Sequence, residues 1–146
     1  MKTLKTYNSK VSSKKENICS LVKDVVKFLC DSSDTINEDI LFEIKVILNE
    51  LLQNAIKHGN KEDSSKSVEV SVGITANNHA YFIVEDEGEG YDRESACEKQ
   101  YDPVEMPDIC DLKESGRGIL IVRSLCDKII FNKKGNKVIV FKKLIK

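Results

Sequence analysis

The spacing of apolar residues changes near the middle of this chain, and that change limits the folds that the chain can adopt. From Thr35 or Asn37 to His58-Gly59, apolar residues recur every three or four positions, which predicts a long amphipathic helix. From Val68 onward they recur every second position, which predicts a half-buried strand. The predicted inner stripe of the helix consists of Ile40, Ile44, Ile47, Leu48, Leu51 and Ala55. The fold must therefore combine a helical layer with a sheet.

The flanking segments extend this two-layer pattern. Residues 2–8 predict a short strand, and residues 14–30 have the spacing of a helix. The segment AYFIVED follows the turn NNH as a second strand, and GRGILIVRSLCD begins a later helix at a glycine turn. The segment KIIFNKKGNKVIVFKKL predicts a hairpin that turns at residues 133–136. Strands grouped in consecutive pairs favour an α+β fold, a two-layer α/β sandwich with a mixed, mostly antiparallel sheet and helices on one face.

Length and composition predict one globular domain over residues 1–146. The chain is 40% hydrophobic and 32% charged, with a formal net charge of only -1. Such a balance gives no overall field that would attract nucleic acid or an anionic membrane. No apolar run approaches the roughly 20 residues that a membrane span needs, so we expect a cytoplasmic protein. Five cysteines without a CxxC pair favour reduced thiols over disulfides or a zinc site.

Residues 87–114 form the one long stretch with little periodicity. This stretch contains both prolines of the chain and many acidic residues. Loops of this length in a compact domain are usually functional or mobile. We therefore expect this loop to belong to a functional site.

The segment NELLQNAIKHGN places three polar residues along one edge of the long helix. At about 100° per residue, Glu50, Asn54 and Lys57 lie in a narrow stripe beside the apolar stripe, on a rim between core and solvent. A carboxylate there can accept a proton, an amide oxygen can bind Mg²⁺, and an ammonium can meet a phosphate. Taken alone, this spacing is more typical of a solvated helix edge.

The segment DEGEG follows the second strand of the central pair. Strand alternation directs Asp86 toward the core, where a buried carboxylate needs a hydrogen-bond donor such as the amino group of a nucleobase. Gly88 and Gly90 allow the backbone to approach a ligand closely. A tight acidic turn with a self-capping aspartate explains the segment equally well.

The segment ESGRG begins the third predicted helix. Backbone N–H groups at a helix N-terminus bind phosphate, and Gly116, Arg117 and Gly118 would add access and positive charge. Glycine as a simple helix start is the alternative. The segment lacks the GxxxxGK[ST] pattern of a P-loop, and neither glycine pair gives GxGxxG after a first strand. Together, the three segments supply metal and proton handling, base recognition and phosphate binding, which indicates a nucleoside triphosphate site.

In this order, the three segments resemble the N box, G1 box and G2 box of the GHKL superfamily, which includes gyrase, Hsp90, MutL and histidine kinases. The resemblance covers roughly residues 10–145. The segments ILNELLQNAIKHGN, FIVEDEGEGYD and LKESGRGILIVRSLCDKI are similar to those of the stand-alone anti-sigma-factor serine/threonine-protein kinases. The fold that the resemblance implies is the Bergerat ATP-binding fold, a two-layer sandwich.

The resemblance assigns a role to each polar residue of the three segments. It implies that Asn54 binds Mg²⁺, that the catalytic residue Glu50 is the general base or the acid that orients the nucleophile, and that Asp86 bonds the adenine amino group. Lys57 and Arg117 would lie near the phosphates. The glycines that would shape the pocket are Gly88, Gly90, Gly116 and Gly118. Residues 91–114 would form a mobile lid over the ATP.

The function that the resemblance implies is that of an anti-sigma factor and serine/threonine-protein kinase. The partners would be a sigma factor and a small anti-anti-sigma protein of the STAS type, and a homodimer is a further expectation. A nucleotide-dependent binding module without kinase activity, or a histidine-kinase-like catalytic domain, are the alternatives. Lys57 matches the Asn-Ala-x-Lys of many histidine kinases, whereas Glu50 does not, since those kinases typically have Asn at that position. The first helix lacks the arginine with which anti-sigma kinases help to hold partners.

Overall fold

A computed structural model describes residues 3–33, 36–88 and 114–145, the first four residues of the last range by their backbone alone. The strands are β1 (Thr3–Ser12), β2 (Ser67–Thr75), β3 (His79–Asp86), β4 (Lys128–Phe131) and β5 (Lys137–Lys143). The α-helices are α1 (Glu16–Ser32), α2 (Glu38–Gln53) and α3 (Glu114–Leu125). A π-helical segment, Asn54–Gly59, directly continues α2.

The five strands form one sheet in the order β1-β2-β3-β5-β4. All four described strand pairings are antiparallel. The final hairpin places β5 beside β3, so β4 becomes an edge strand. The predicted α+β two-layer architecture is confirmed, and in the described part of the chain the sheet is antiparallel throughout.

The core lies between the helices and one face of the sheet. All six residues of the predicted inner stripe of α2 are at most 2% exposed, as the spacing predicted. Alternate residues of the strands pack against this stripe from the sheet, so the predicted alternation of buried and less buried residues along the strands is also confirmed. These buried strand residues include Val68, Val70, Val72, Phe82, Val84, Val138 and Val140. No helix in the described residues is long and apolar enough to cross a membrane.

Local hydrogen bonds set the start of α2. The side chain of Asn37 accepts a hydrogen bond from the Ile40 N–H at 2.9 Å, which is the N-cap arrangement that favours asparagine. Of the two predicted starting points, Asn37 is therefore the correct one.

The predicted end of this helix is correct in position but wrong in type. Instead of continuing as α-helix to Gly59, the last six residues widen into the π-helix. The Asn60 N–H donates to the Ala55 carbonyl at 2.8 Å, five residues back. Lys61 and Glu62 then adopt positive φ angles of 53° and 59°, which turn the chain toward β2.

The first strand is longer than predicted. The sequence pattern suggested residues 2–8, but β1 extends to Ser12 because it pairs with β2 as far as Ser67. Its polar residues do not alternate clearly with apolar ones, so the added length depends on the neighbouring strand and leaves no signal in the β1 sequence itself.

A nearly buried lysine joins the three elements that surround the core at one end. Lys142 of β5 is 9% exposed, and its Nζ donates to the Glu43 carboxylate of α2 and to the Leu125 carbonyl, each at 2.5 Å. Leu125 is the last residue of α3, so the ammonium caps that helix where its dipole is negative. One side chain therefore ties β5 to both α2 and α3.

Removing this ammonium should destabilise the fold. We expect Lys142→Met to lower the free energy of unfolding by about 2–3 kcal/mol, because Glu43 and the Leu125 carbonyl lose a charged donor. Urea denaturation followed by circular dichroism measures the change. Lys143→Met, on the exposed side of the same strand, is the matched control and should stay within about 0.5 kcal/mol of wild type. Equal losses in both variants would contradict the assigned role of Lys142.

Candidate functional site

Two of the predicted motifs meet at the N-terminal part of α3. A Cβ atom built on Gly118 would lie 2.6 Å from Glu50 Oε2 and 3.6 Å from Asn54 Nδ2. The start of α3 therefore rests directly against the polar edge of α2. A larger residue at this position would have to displace the Glu50 carboxylate.

The remaining motif approaches the end of the π-helix equally closely. A Cβ atom on Gly59 would lie 2.2 Å from Asp86 Oδ2, and a Cβ atom on Gly88 would lie 1.9 Å from the Gly59 carbonyl oxygen. Both distances are far below van der Waals contact, and the second involves backbone that cannot rotate away. Glycine is therefore required at both positions, although the sequence pattern had identified Gly59 only as a helix stop.

Asp86 points into the protein, as the strand alternation predicted. It is 2% exposed, and its Oδ1 accepts a hydrogen bond from the Gly88 N–H at 2.9 Å. Asn136, in the β4–β5 turn, exchanges two further hydrogen bonds with the Asp86 backbone. The self-capping turn considered from the sequence is thus present, and it uses one oxygen of the buried carboxylate.

Asn54 is the first residue of the π-helix and is only 3% exposed. The prediction that it lies on a solvent rim is therefore wrong, because the start of α3 packs against this edge of the helix. Among the described residues its Nδ2 has no hydrogen-bond partner. A buried amide left unpaired costs about 1–3 kcal/mol, so a ligand that bonds this group would remove that cost.

The residues around Asn54 fit a magnesium ion in part. Rotating the amide by half a turn would place its oxygen where Nδ2 now lies, facing Gly118 as the Glu50 carboxylate does, and Mg²⁺ prefers such oxygen ligands. The described residues contain no cluster of three or more metal-binding side chains. Mg²⁺ commonly takes one or two protein oxygens and completes its shell with water and phosphate oxygens. The donor set therefore fits magnesium that arrives with a nucleotide.

Glu50 and Lys57 are both half-buried and line the same groove, which agrees with the predicted rim. Gly90 and residues 91–113 lie outside the described residues, Gly116 and Arg117 are described by their backbone alone, and nothing tests their contacts. The lid and the roles of these three residues stay predictions. The structure thus brings Glu50, Asn54 and Gly118 together at the start of the π-helix, and Asp86 and Gly88 together at its end.

Asn60 is a residue of the site that the sequence pattern did not identify. It is fully buried, and its Nδ2 donates to Ser13 Oγ at 2.5 Å and to the Ser67 carbonyl at 2.9 Å. Its Oδ1 accepts from the Glu87 N–H at 2.8 Å. The side chain therefore joins the end of the π-helix to the segments next to β1, β2 and β3. Its position just after Gly59 was the available signal, but asparagine there is also ordinary turn chemistry.

Glu87 reinforces the same junction from the surface. Its carboxylate accepts hydrogen bonds from the N–H and the hydroxyl of Ser67. These bonds, the backbone one first, hold the pKa of the Glu87 carboxyl below its usual value. The charged form thus favours the folded arrangement of the segment that follows Asp86.

The family model described as the histidine kinase-like ATPase domain matches residues 11–142. The chain belongs to this family. The match includes every described residue of the candidate site, and it confirms the predicted resemblance to the GHKL superfamily.

The names of three relatives indicate a subgroup within this family. Serine-protein kinase RsbW of Oceanobacillus iheyensis is 27% identical over 105 residues, which span 70% of this chain and 65% of the relative. Anti-sigma F factor of Geobacillus kaustophilus is 32% identical over 127 residues, 86% of this chain and 82% of the relative. Serine-protein kinase RsbW of Staphylococcus aureus is 27% identical over 110 residues, 74% and 68% respectively. This member of the histidine kinase-like ATPases is therefore similar to its anti-sigma-factor kinases.

Loss of the Asn60 hydrogen bonds should destabilise this part of the ATPase domain. We expect Asn60→Ala to lower the free energy of unfolding by about 2–4 kcal/mol, because the buried Ser13 hydroxyl and two backbone groups in part-buried hydrogen bonds would lose their partner. Chemical denaturation measures the change. Asn8→Ala is the control, since Asn8 bonds Ser71 at the exposed surface, and it should cost less than about 1 kcal/mol. A small loss in Asn60→Ala would show that the junction does not depend on this side chain.

Proposed function

We propose that this chain binds Mg²⁺·ATP and transfers the γ-phosphoryl group to a serine or threonine of a small anti-anti-sigma protein of the STAS type. In the same proposal it binds a sigma factor and so acts as an anti-sigma factor in the cytoplasm. The observation that carries the proposal is that Glu50, Asn54 and Gly118 meet at the start of the π-helix, whose end at Gly59 packs against Asp86. A single domain over residues 1–146, with a lid at 91–114 and a homodimeric state, completes it.

The adenine would bind beside Asp86. Its carboxylate is buried and accepts donors, as the amino group of adenine requires. Gly59 and Gly88 let the end of the π-helix and the segment after β3 pack directly against this carboxylate, which holds it in one position for the base. An aspartate that is buried among glycines supports base recognition better than a structural turn alone.

The phosphates would bind between Asn54 and the start of α3. This helix has twelve residues, so its N-terminal N–H groups offer a partial positive charge to an anion. Gly116 and Gly118 would expose these groups, and Arg117 and Lys57 would add charge. The bound metal would supply charge neutralisation, held on the protein side by Asn54.

Glu50 would act on the hydroxyl of the partner. In the transfer, that oxygen forms a bond to the γ-phosphorus, the bond from this phosphorus to the β–γ bridging oxygen breaks, and ADP leaves. Glu50 accepts the hydroxyl proton. Phosphoryl transfer relies mainly on positioning and electrostatic stabilisation, and the contact of Glu50 with the start of α3 supports this role.

A nucleotide-dependent binding module is the second candidate. The name Anti-sigma F factor describes binding to a sigma factor and no reaction. The same pocket would then control the affinity for the partner. The kinase and the module differ in a single observable, which is the appearance of phosphate on the partner.

Removing the charge of Asp86 should weaken nucleotide binding. We expect Asp86→Asn to raise the Kd for Mg²⁺·ATP by about 10- to 150-fold, because a charged hydrogen bond to the base is worth about 1.5–3 kcal/mol. Isothermal titration calorimetry measures it. Glu85→Gln, on the other face of β3, is the control and should leave the Kd unchanged. Absence of binding by the wild type would remove the nucleotide proposal altogether.

Removing the proton acceptor should separate binding from transfer. We expect Glu50→Gln to keep the Kd for ATP within about threefold and to lower phosphate transfer by at least about 100-fold. Labelled ATP and a candidate STAS-type protein provide the assay, with Glu69→Gln as control. Transfer at the wild-type rate would contradict the role of Glu50. Phosphate that is lost in acid would indicate a histidine acceptor, whereas phosphoserine survives.

A further inference from the structure

Lys142 is a charged residue at a position of β5 where the alternation calls for an apolar one. The preceding inward-facing residues of this strand are Val138 and Val140, and all three are buried. An apolar side chain of similar volume would fill the position without the cost of desolvating an ammonium. What the lysine adds is direction, because its Nζ meets one carboxylate oxygen of Glu43 on α2 and one carbonyl oxygen, that of Leu125, on α3.

The contacts of this ammonium lie at one end of the α2–α3 pair, and the candidate site lies at the other. Gly118 of α3 rests against Glu50 and Asn54 of α2. Along α2 the sequence runs from Glu43 to the site, whereas along α3 it runs from the site to Leu125, so the two helices are antiparallel. On each helix seven residues separate the two ends, which is about 10 Å, or two turns.

Matching stripes of residues connect the two ends of the helix pair. Both stripes follow the spacing that places residues on one side of a helix. The stripe of α2 consists of Glu43, Ile47 and Glu50, and that of α3 of Gly118, Val122 and Leu125. The midpoints, Ile47 and Val122, are fully exposed to neither solvent nor gap, since each has 0% exposure and belongs to the same core cluster. Close-packed interiors transmit displacement, so the placement of one end of the pair affects the other.

The site end of the pair tolerates little displacement. Moving α3 by one residue along its axis is a shift of about 1.5 Å with a rotation of about 100°, and it would replace Gly118 by a residue with a side chain. A Cβ atom at this contact would lie only 2.6 Å from Glu50 Oε2. The candidate site therefore requires α3 to be held at one position along α2.

The sheet holds the far end of α3, and Lys142 extends this attachment to α2. Just after the helix, the Asp127 N–H donates to the Phe141 carbonyl at 2.8 Å, and the Lys143 N–H donates to the Asp127 carboxylate at 2.6 Å. These two bonds join the end of α3 to β5 alone. The Lys142 ammonium adds the bond to Glu43, which fixes the position of α3 relative to the helix that carries Glu50 and Asn54.

We propose that Lys142 is a positioning residue of the nucleotide site, which holds α3 against α2 so that the start of α3 stays where the phosphates bind. It touches no ligand, since its contacts lie about 10 Å along the helices from Gly118. The inference rests on the proposed function, because it concerns the phosphate half of that site. The base half is independent of this attachment, since Asp86 lies on β3 and is held by Gly88 and Asn136.

The test compares two ligands of the full chain. Mg²⁺·ATP uses both halves of the site, and adenosine uses the base half alone. We expect Lys142→Met to raise the Kd for Mg²⁺·ATP at least about fivefold and to keep the Kd for adenosine within about twofold. Calorimetry measures the first and ligand-observed NMR the second, at a temperature where circular dichroism shows the variant to be folded. An unchanged Kd for Mg²⁺·ATP, or equal changes for both ligands, would overturn the proposal.

A control that is also destabilised separates placement from loss of stability. Val72→Ala removes buried methyl groups from β2, which lies between β1 and β3 in the sheet, and so lowers the free energy of unfolding. Unfolding reduces the fraction of competent molecules for both ligands alike. The ratio of the two Kd values should therefore stay at its wild-type value in Val72→Ala. A change of this ratio as large as in Lys142→Met would contradict the role of Lys142.

Variants of Glu43 test the attachment from α2, where the carboxylate is partly exposed. Glu43→Ala should raise the Kd for Mg²⁺·ATP at least about threefold, and adding it to Lys142→Met should change that variant by less than about twofold, because both remove one attachment. Glu43→Gln keeps an acceptor oxygen for the ammonium and should bind Mg²⁺·ATP as the wild type does. Effects of the two substitutions that multiply would show that they act separately and would overturn the proposal.

A measurement without ligand keeps this inference apart from the proposed function. The NMR signals of the Gly118 amide and the Asn54 side-chain amide report the contact between the two helices. Lys142→Met should shift both signals, whereas Val72→Ala should shift neither. Unchanged signals in Lys142→Met would overturn the inference. Shifted signals in a protein whose wild type binds no ATP would remove the nucleotide site alone and leave the placement of α3 assigned to Lys142.

Discussion

The arrangement of the site depends on one buried amide. Asn60 satisfies both ends of its side chain, with donors to the segments before α1 and at the start of β2 and an acceptor for the segment after β3. These segments are distant in sequence, so the amide sets their spacing where the sheet meets the end of the long helix. Gly59 can then lie against Asp86, and the hydrogen bonds between Glu87 and Ser67 close the junction at the surface.

Much of this fold could be predicted from hydrophobic spacing, because burial is strongly determined by pattern. The α2 stripe and the alternation of β2 and β3 each repeat one period over several turns or residues, and Asp86 inherits its inward direction from that alternation. The π-helix could not be predicted in this way. The sequence NAIKHG is compatible with either helix type, and the backbone hydrogen-bond pattern at this point depends on tertiary partners of the next residue, Asn60.

In the candidate site, too, some features could be predicted from the sequence and others could not. Residue type and spacing identified Glu50, Asn54 and Asp86, because each chemistry needs a particular functional group. Close packing between segments is different. The need for glycine at Gly59 is evident only when the Asp86 carboxylate of β3 is placed against it. The contacts of Lys142 were even less visible: the alternation of β5 places this residue inward, but nothing in it indicates the two helices that the ammonium joins.

The π-helix also sets the rotational phase of everything that follows it. Each residue of an α-helix advances by about 100° about the axis, and a wide turn absorbs one extra residue without that advance. In a regular α-helix from Asn54 onward, Gly59 would be rotated away from the β3 carboxylate and Asn60 away from its three partners. The wide turn therefore changes the rotation of the residues after it about the helix axis. As a result, one continuous helix carries both a core stripe and a binding surface. An unbroken 3.6-residue repeat would place these two on different sides.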